Sequence, residues 1–185
     1  MKVNEHSINE LENESMFKRL AYVSYESHIF NDSIFNNFKI ANPNVTKDEI
    51  YSALKKVSLE YLIDEHGFDY VIKEGSINLS GGEKQRLALA INLTSDKDLY
   101  IFDEATSNID RESEELIIKN IYELRKKAIV IVISHSFNNL IKADEILFID
   151  KTKIYCGKHQ NLLSISEKYK TIFKTQLSGG MIYEA

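Results

Sequence analysis

The chain of 185 residues holds a single cysteine, Cys156, a single proline, Pro43, and no long apolar run. One thiol cannot close an internal disulfide, which points to a reducing compartment. A membrane span needs about 20 apolar residues. The longest candidate here, Ala128 to Ile133, has the length of a strand, so the chain is expected neither to cross a membrane nor to be exported by itself. The opening Met1-Lys2-Val3-Asn4-Glu5-His6 soon turns acidic and lacks an apolar core, unlike a secretory signal. Excess positive charge is missing too: 23 basic against 28 acidic side chains leave −5. That balance lacks the broad basic footprint of a duplex-binding protein. Internal repeats, low-complexity tracts and clear linkers are absent from the sequence.

What is present is ordinary for a soluble globular chain, with 43% apolar and 28% charged residues. At about 150 residues per domain the length fits one domain, enough to bury roughly 70% of the unfolded surface. Lys18 to Val23 reads as the entry to a strand, and Asn31 to Asn44 as turn-rich. Thr46-Lys47-Asp48-Glu49 has the form of a capping box. Ile50, Leu54, Val57 and Tyr61 follow at helical spacing, predicting one helix over about 47–62. Residues 64–80 read as loop.

The second half changes character. Leu99-Tyr100-Ile101-Phe102 and Ala128 to Ile133 are continuous apolar runs suited to buried parallel strands. Between them Ile117, Ile121 and Leu124 mark one face of a helix over 111–127. Strand, helix and strand over about 35 residues make a βαβ unit. Residues 145–149 and 153–155 suggest a hairpin, and 160–176 a helical tail. The fold class is therefore α/β.

Chemistry concentrates in Leu79-Ser80-Gly81-Gly82-Glu83-Lys84-Gln85-Arg86. Two glycines leave the backbone bare, and the helix expected from Leu87, Ala90 and Ile91 aims its positive dipole end at the same point. Taken alone, Ser-Gly-Gly reads first as a serine N-cap with glycines in a turn, and it is the context that reverses this. Sixteen residues past Gly82 begins Asp98-Leu99-Tyr100-Ile101-Phe102-Asp103-Glu104. A parallel strand ending in two carboxylates sets them at the sheet edge where ligands bind. One can hold Mg²⁺ through water while the next polarises an attacking water. The strand ending Ile133-Ser134-His135 brings an imidazole to the same edge.

In this order, these segments resemble the nucleotide-binding domain of ATP-binding cassette (ABC) transporters. Leu79 to Glu83 matches the family signature, Leu99 to Asp103 with Glu104 matches Walker B and its catalytic glutamate, Ser107 to Asp110 resembles the D-loop, and His135 the switch histidine. The resemblance covers nearly the whole chain. It implies a P-loop NTPase-like domain with a parallel core sheet and a helical subdomain within 31–95. Residues 96–185 would then carry Walker B, D-loop, switch histidine and a C-terminal hairpin and helix. Ile29 to Ile34 and Tyr70 to Gly75 are similar to exporter segments.

Three departures stand out. No Gly-x-x-x-x-Gly-Lys-Ser/Thr loop, the Walker A element that wraps phosphates, occurs in the sequence. Gly157-Lys158 has Thr152 and His159 in the wrong places and reads as a turn, and Met1 to Val23 resembles the segment that follows Walker A. The domain is therefore expected to lack its N-terminal portion. Tyr25 stands where the Q-loop glutamine belongs, and a phenol lacks the amide carbonyl. Ile91 replaces a usual arginine. Leu177-Ser178-Gly179-Gly180 repeats the signature letters but reads as a helix stop.

The resemblance implies two such domains binding head to tail around ATP and Mg²⁺, docked on the transmembrane domain of an exporter at the cytoplasmic face of the membrane, without nucleic acid. Ser80, Gly81, Gly82, Glu83, Gln85 and Asp110 would serve the nucleotide or the dimer seam, and Asp103 the metal. Glu104 would be the general base, and His135 would contact the γ-phosphate. Hydrolysis of ATP would drive export, yet this chain alone is expected to be inactive. Alternatives are a Walker-A-less regulatory subunit lending its signature to a partner, or a soluble non-transport ABC ATPase. Peptide, lipid and drug all remain as cargo, with small peptides slightly favoured.

Overall fold

A computed structural model describes residues 2–3, 6–7, 17–26, 28–151 and 153–178. Two short strands, Lys2–Val3 (β1) and His6–Ser7 (β2), pair antiparallel. The chain divides into two units, 1–133 and 134–185, each with its own apolar core. The division falls inside the span 96–185.

The first unit is built on three parallel strands, Leu20–Ser24 (β3), Leu99–Asp103 (β4) and Ile129–Ile133 (β5), in the order β3-β4-β5. Side chains alternate across a strand, so Ala21, Val23, Tyr100 and Phe102 point together into the core, where all four are buried. Val130 and Val132 pack against the same core. The opposite face carries Tyr22, Ile129, Ile131 and Ile133, and all four are exposed. The buried character expected of Ala128 to Ile133 is therefore not met: one face of the strand is exposed, and Val130 and Val132 on the other are half-buried. Among the described residues β5 is an outer strand, and the helices cover a single side of the sheet.

Between β3 and β4 run Ile34–Ala41 (α1), Lys47–Lys55 (α2), Tyr61–His66 (α3) and Gly81–Leu93 (α4). Thr46 and Glu49 form the expected capping box at the start of α2. The single helix expected over 47–62 is broken instead. Ser58 takes a left-handed φ of +55°, and the Leu59 N–H folds back to the Leu54 carbonyl at 2.9 Å. α1 lies inside the stretch read as turns, capped by Ser33, whose side chain accepts the Asn36 N–H. Between β4 and β5 runs Arg111–Leu124 (α5), which buries Ile117, Ile121 and Leu124 as its periodicity predicts.

In the second unit Ile146–Asp150 (β6) and Lys153–Gly157 (β7) form the expected hairpin. The tail is two helices, His159–Ile165 (α6) and Glu167–Ser178 (α7). Ser166 separates them. It ends α6 in an extended conformation, and its Oγ accepts the Tyr169 N–H to start α7. Gly157-Lys158 occupies the junction of β7 and α6. Leu177 and Ser178 close α7, and the Gly179-Gly180 pair lies outside the described residues.

Candidate functional site

α4 begins where the sequence places its bare glycines. The Ser80 Oγ accepts the Glu83 N–H at 3.2 Å, and the Glu83 carboxylate accepts the Ser80 N–H at 2.6 Å. A helix leaves its first N–H groups without intrahelical acceptors, and here they belong to Gly81 and Gly82. The two glycines differ. A Cβ on Gly81 would meet no atom within 4 Å, whereas a Cβ on Gly82 would lie 3.0 Å from the Asn108 carbonyl oxygen. Gly82 thus allows close packing of the helix start on the loop that leaves β4, where a side chain would crowd the main chain. Gly81 faces open space where an anion has room to approach.

Glu83 is committed to its own helix. Beyond the capping box, its carboxylate accepts a hydrogen bond from the Tyr61 hydroxyl of α3. Burial pushes the Glu83 carboxyl up, but bonds from Tyr61 and Ser80 and the charge of Arg86 outweigh it, and the net shift is downward. The Tyr61 phenol is pushed up to about 12, by burial first and by Glu83 second. A carboxyl depressed in the folded state contributes stability that is present above its unfolded value and lost as pH falls through the folded one. Urea-unfolding midpoints are therefore expected to decline below about pH 4.3, with a shallower decline in Glu83→Gln. An identical slope in that variant would remove this role.

β4 delivers Asp103 and Glu104. The Asp103 carboxylate accepts the Tyr22 hydroxyl at 2.9 Å, a bond that holds the phenol above its ordinary value. The Asp103 carbonyl accepts the Tyr25 N–H at 3.0 Å. Glu104 stands at φ +49°, a left-handed conformation costing a non-glycine residue roughly 1–2 kcal/mol. Its N–H donates to the Ile133 carbonyl at 2.9 Å, and its carbonyl accepts the Ser107 N–H at 3.1 Å. Asp110 caps α5 by accepting the Ser113 N–H at 3.0 Å and receives Arg86 Nη1 at 2.9 Å. The Ser113 N–H is the main reason that the Asp110 carboxyl lies below its usual range.

Gln85, expected among the nucleotide contacts, is held between two stretches of main chain. It is 2% exposed, and its amide is engaged by main chain on both sides. Tyr25, at the Q-loop position, lines a cavity of about 340 Å³ with Glu26, His28, Gly81, Lys84, Gln85 and Asn108. The first unit thus brings together Ser80 to Gln85 and Asp103 to Asp110. His135 belongs to the second unit, where its carbonyl accepts Gln176 Nε2 at 2.7 Å. Sequence reasoning missed the Tyr22–Asp103 and Tyr61–Glu83 bonds, since nothing in strand or helix periodicity marks such pairs.

A parallel sheet whose central strand ends in adjacent carboxylates, beside a glycine-opened helix start, defines an α/β protein with these polar groups gathered at one sheet edge. A profile of the ABC transporter family matches residues 1–107. Over 164 residues the chain is 38% identical to an uncharacterized ABC transporter ATP-binding protein of Haemophilus influenzae, covering 88% of this chain and 29% of that protein. Over 162 residues it is 42% identical to an ATP-dependent lipid A-core flippase of Mannheimia succiniciproducens, covering 85% and 28%. The fold matches a bacterial Atm1-family ABC exporter with ATP bound, at TM-score 0.87 and 28% identity, over 94% of this chain and 31% of that one. The chain belongs to the ABC transporter family, and it spans less than a third of the length of these relatives.

Proposed function

We propose that the chain is part of the nucleotide-binding domain of an ABC exporter, whose residues bind and hydrolyse ATP to ADP and phosphate in a head-to-tail pair of domains. The observation that carries this reading is the packing of the Ser80-Gly81-Gly82 helix start on the loop Asp103 to Asp110, with Gly82 fixed by its approach to Asn108. The helical subdomain would lie within 31–95, and the exposed Ile40, Val71 and Ile77 offer apolar surface there to a transmembrane partner. No helix among the described residues is long and apolar enough to cross a membrane. That partner would hold the domain at the cytoplasmic face. Cargo is read from the relatives, several of them named lipid A-core flippases, which moves a lipid ahead of a small peptide.

The donor chemistry fits the expected ligands. Ser80 Oγ accepts the Glu83 N–H and keeps its own hydrogen to donate to a phosphate, alongside the N–H groups of Gly81 and Gly82. The Asp103 carboxylate supplies hard oxygen of the kind Mg²⁺ takes. No group of three or more His, Cys, Asp or Glu side chains placed to hold a metal ion occurs among the described residues. Mg²⁺ is commonly held by one or two carboxylates together with substrate phosphates and water, a role that Asp103 would fill. Glu104 would accept the proton of the attacking water. Asp110 would hold the dimer seam and His135 contact the γ-phosphate.

No Walker A sequence occurs within the 185 residues, so the chain alone lacks the loop and lysine that bind most of a triphosphate. Calorimetry on the purified chain is expected to show no MgATP binding up to millimolar concentration, and assays no phosphate release. Micromolar binding would contradict this reading and direct attention to Tyr25 and the cavity beside it.

A further inference from the structure

Gln85 joins two stretches of main chain that follow β4 to the helix that carries Ser80 and Gly81. Its Nε2 donates to the Glu104 carbonyl at 3.2 Å, and its Oε1 accepts the Asn108 N–H at 3.1 Å. A neutral primary amide donates and accepts at once, so one buried side chain satisfies both groups. Gly82, Gln85 and Arg86 lie at i, i+3 and i+4 on one helix face. Gly82 closes on the Asn108 carbonyl, while Arg86 Nη1 donates to Asp110 Oδ2 and to Ser113 Oγ at 2.9 and 3.0 Å. The start of α4 is thereby fastened along 104–113. Glu104 is the strained member of that stretch, and a left-handed residue persists only where its surroundings over-determine it.

We infer that Gln85 is a positioning residue that couples the start of α4 to the backbone of Glu104, so that an anion on Ser80 and Gly81 and the aim of the Glu104 carboxylate are set together. The inference deepens the proposed function and rests on it for the role of Glu104. The fastening itself is a property of the isolated chain. A shift of about 1 Å in a catalytic group lowers rates on the order of a hundredfold, so a slack bond at Gln85 would be felt in turnover rather than in binding.

Two variants separate its arms. Gln85→Met conserves length and volume while removing both bonds. Gln85→Glu keeps an acceptor for Asn108 and removes the donor to Glu104. In the 185-residue chain without nucleotide, amide exchange at Asn108 is expected to speed about tenfold in Gln85→Met, the worth of one hydrogen bond. It should stay within about twofold in Gln85→Glu, while Ile117 and Ile121 of α5 exchange as in the parent. In the full-length transporter both variants are expected to lower kcat by about 10- to 100-fold with KM for MgATP within about twofold. Unchanged Asn108 exchange in a folded Gln85→Met chain, or a raised KM with kcat kept, overturns the inference. Should Gln85→Met fail to fold, the kcat and KM of Gln85→Glu decide it. A parent transporter that hydrolyses no ATP would refute the proposed function, and Asn108 exchange would still judge the fastening.

Discussion

Glu104→Gln is expected to lower ATP hydrolysis by the assembled transporter by about 10²- to 10⁴-fold, the contribution of a positioned general base. MgATP affinity should stay within about twofold of the parent. The glutamine has nearly the shape of the carboxylate but cannot take a proton from water at neutral pH. Its backbone keeps the same constraints, since the bonds to Ile133, Ser107 and Gln85 all involve main-chain atoms of residue 104. Asp103→Asn makes the contrasting case. It removes the charged oxygen proposed for Mg²⁺, so its loss should appear as a raised KM for MgATP as well as a lower kcat. Steady-state kinetics on the two variants side by side distinguish the roles. A Glu104→Gln transporter that turns over within threefold of the parent would exclude Glu104 as the base.

The parts of this site that were legible in the sequence are those specified by near neighbours. The Thr46–Glu49 capping box needs residues three apart and forms as read, and Ser80 caps its helix as read, with Glu83 completing a second capping box. Asp103 and Glu104 follow an apolar strand directly, so their place at the sheet edge needed only the strand. What stayed hidden depends on distant or competing contacts. Gln85 meets groups 19 and 23 residues away, and no spacing rule connects them. The stretch 31–44 looked like turns because of its asparagines, yet Asn37 is a buried member of α1. Its amide nitrogen donates to the Phe30 and Ser33 carbonyls, and its oxygen accepts the Phe30 N–H, saturating the loop that leads into the helix. The break in 47–62 was invisible for the opposite reason. Val57 and Tyr61 fit the helical period, and no glycine or proline marks Ser58, whose left-handed turn lets Leu59 reach the core beside Leu54.

Phe102→Ala is expected to destabilise the first unit by about 3–5 kcal/mol, the range for removing a buried aromatic ring. Phe102 is 1% exposed, stands on the central strand and stacks parallel to Tyr100 with centroids 6.2 Å apart. Tyr100 is itself anchored by a hydrogen bond from its hydroxyl to the Ser95 carbonyl, so it is poorly placed to move into the space left behind. With total stabilities of about 5–15 kcal/mol for a domain, such a loss removes much of the folded margin. It would also disturb the adjoining Asp103 and Glu104. Ile131→Ala on the neighbouring strand removes comparable apolar bulk from the other face of the same sheet. Ile131 is 43% exposed, and its replacement should cost only about 0.5 kcal/mol. Urea unfolding followed by circular dichroism measures both. Equal losses at the two positions would mean that the second face of the sheet is as well covered in solution as the first. A large loss at Phe102 with a small one at Ile131 would establish that one packed face carries the stability of this unit, leaving the other free to take a further layer.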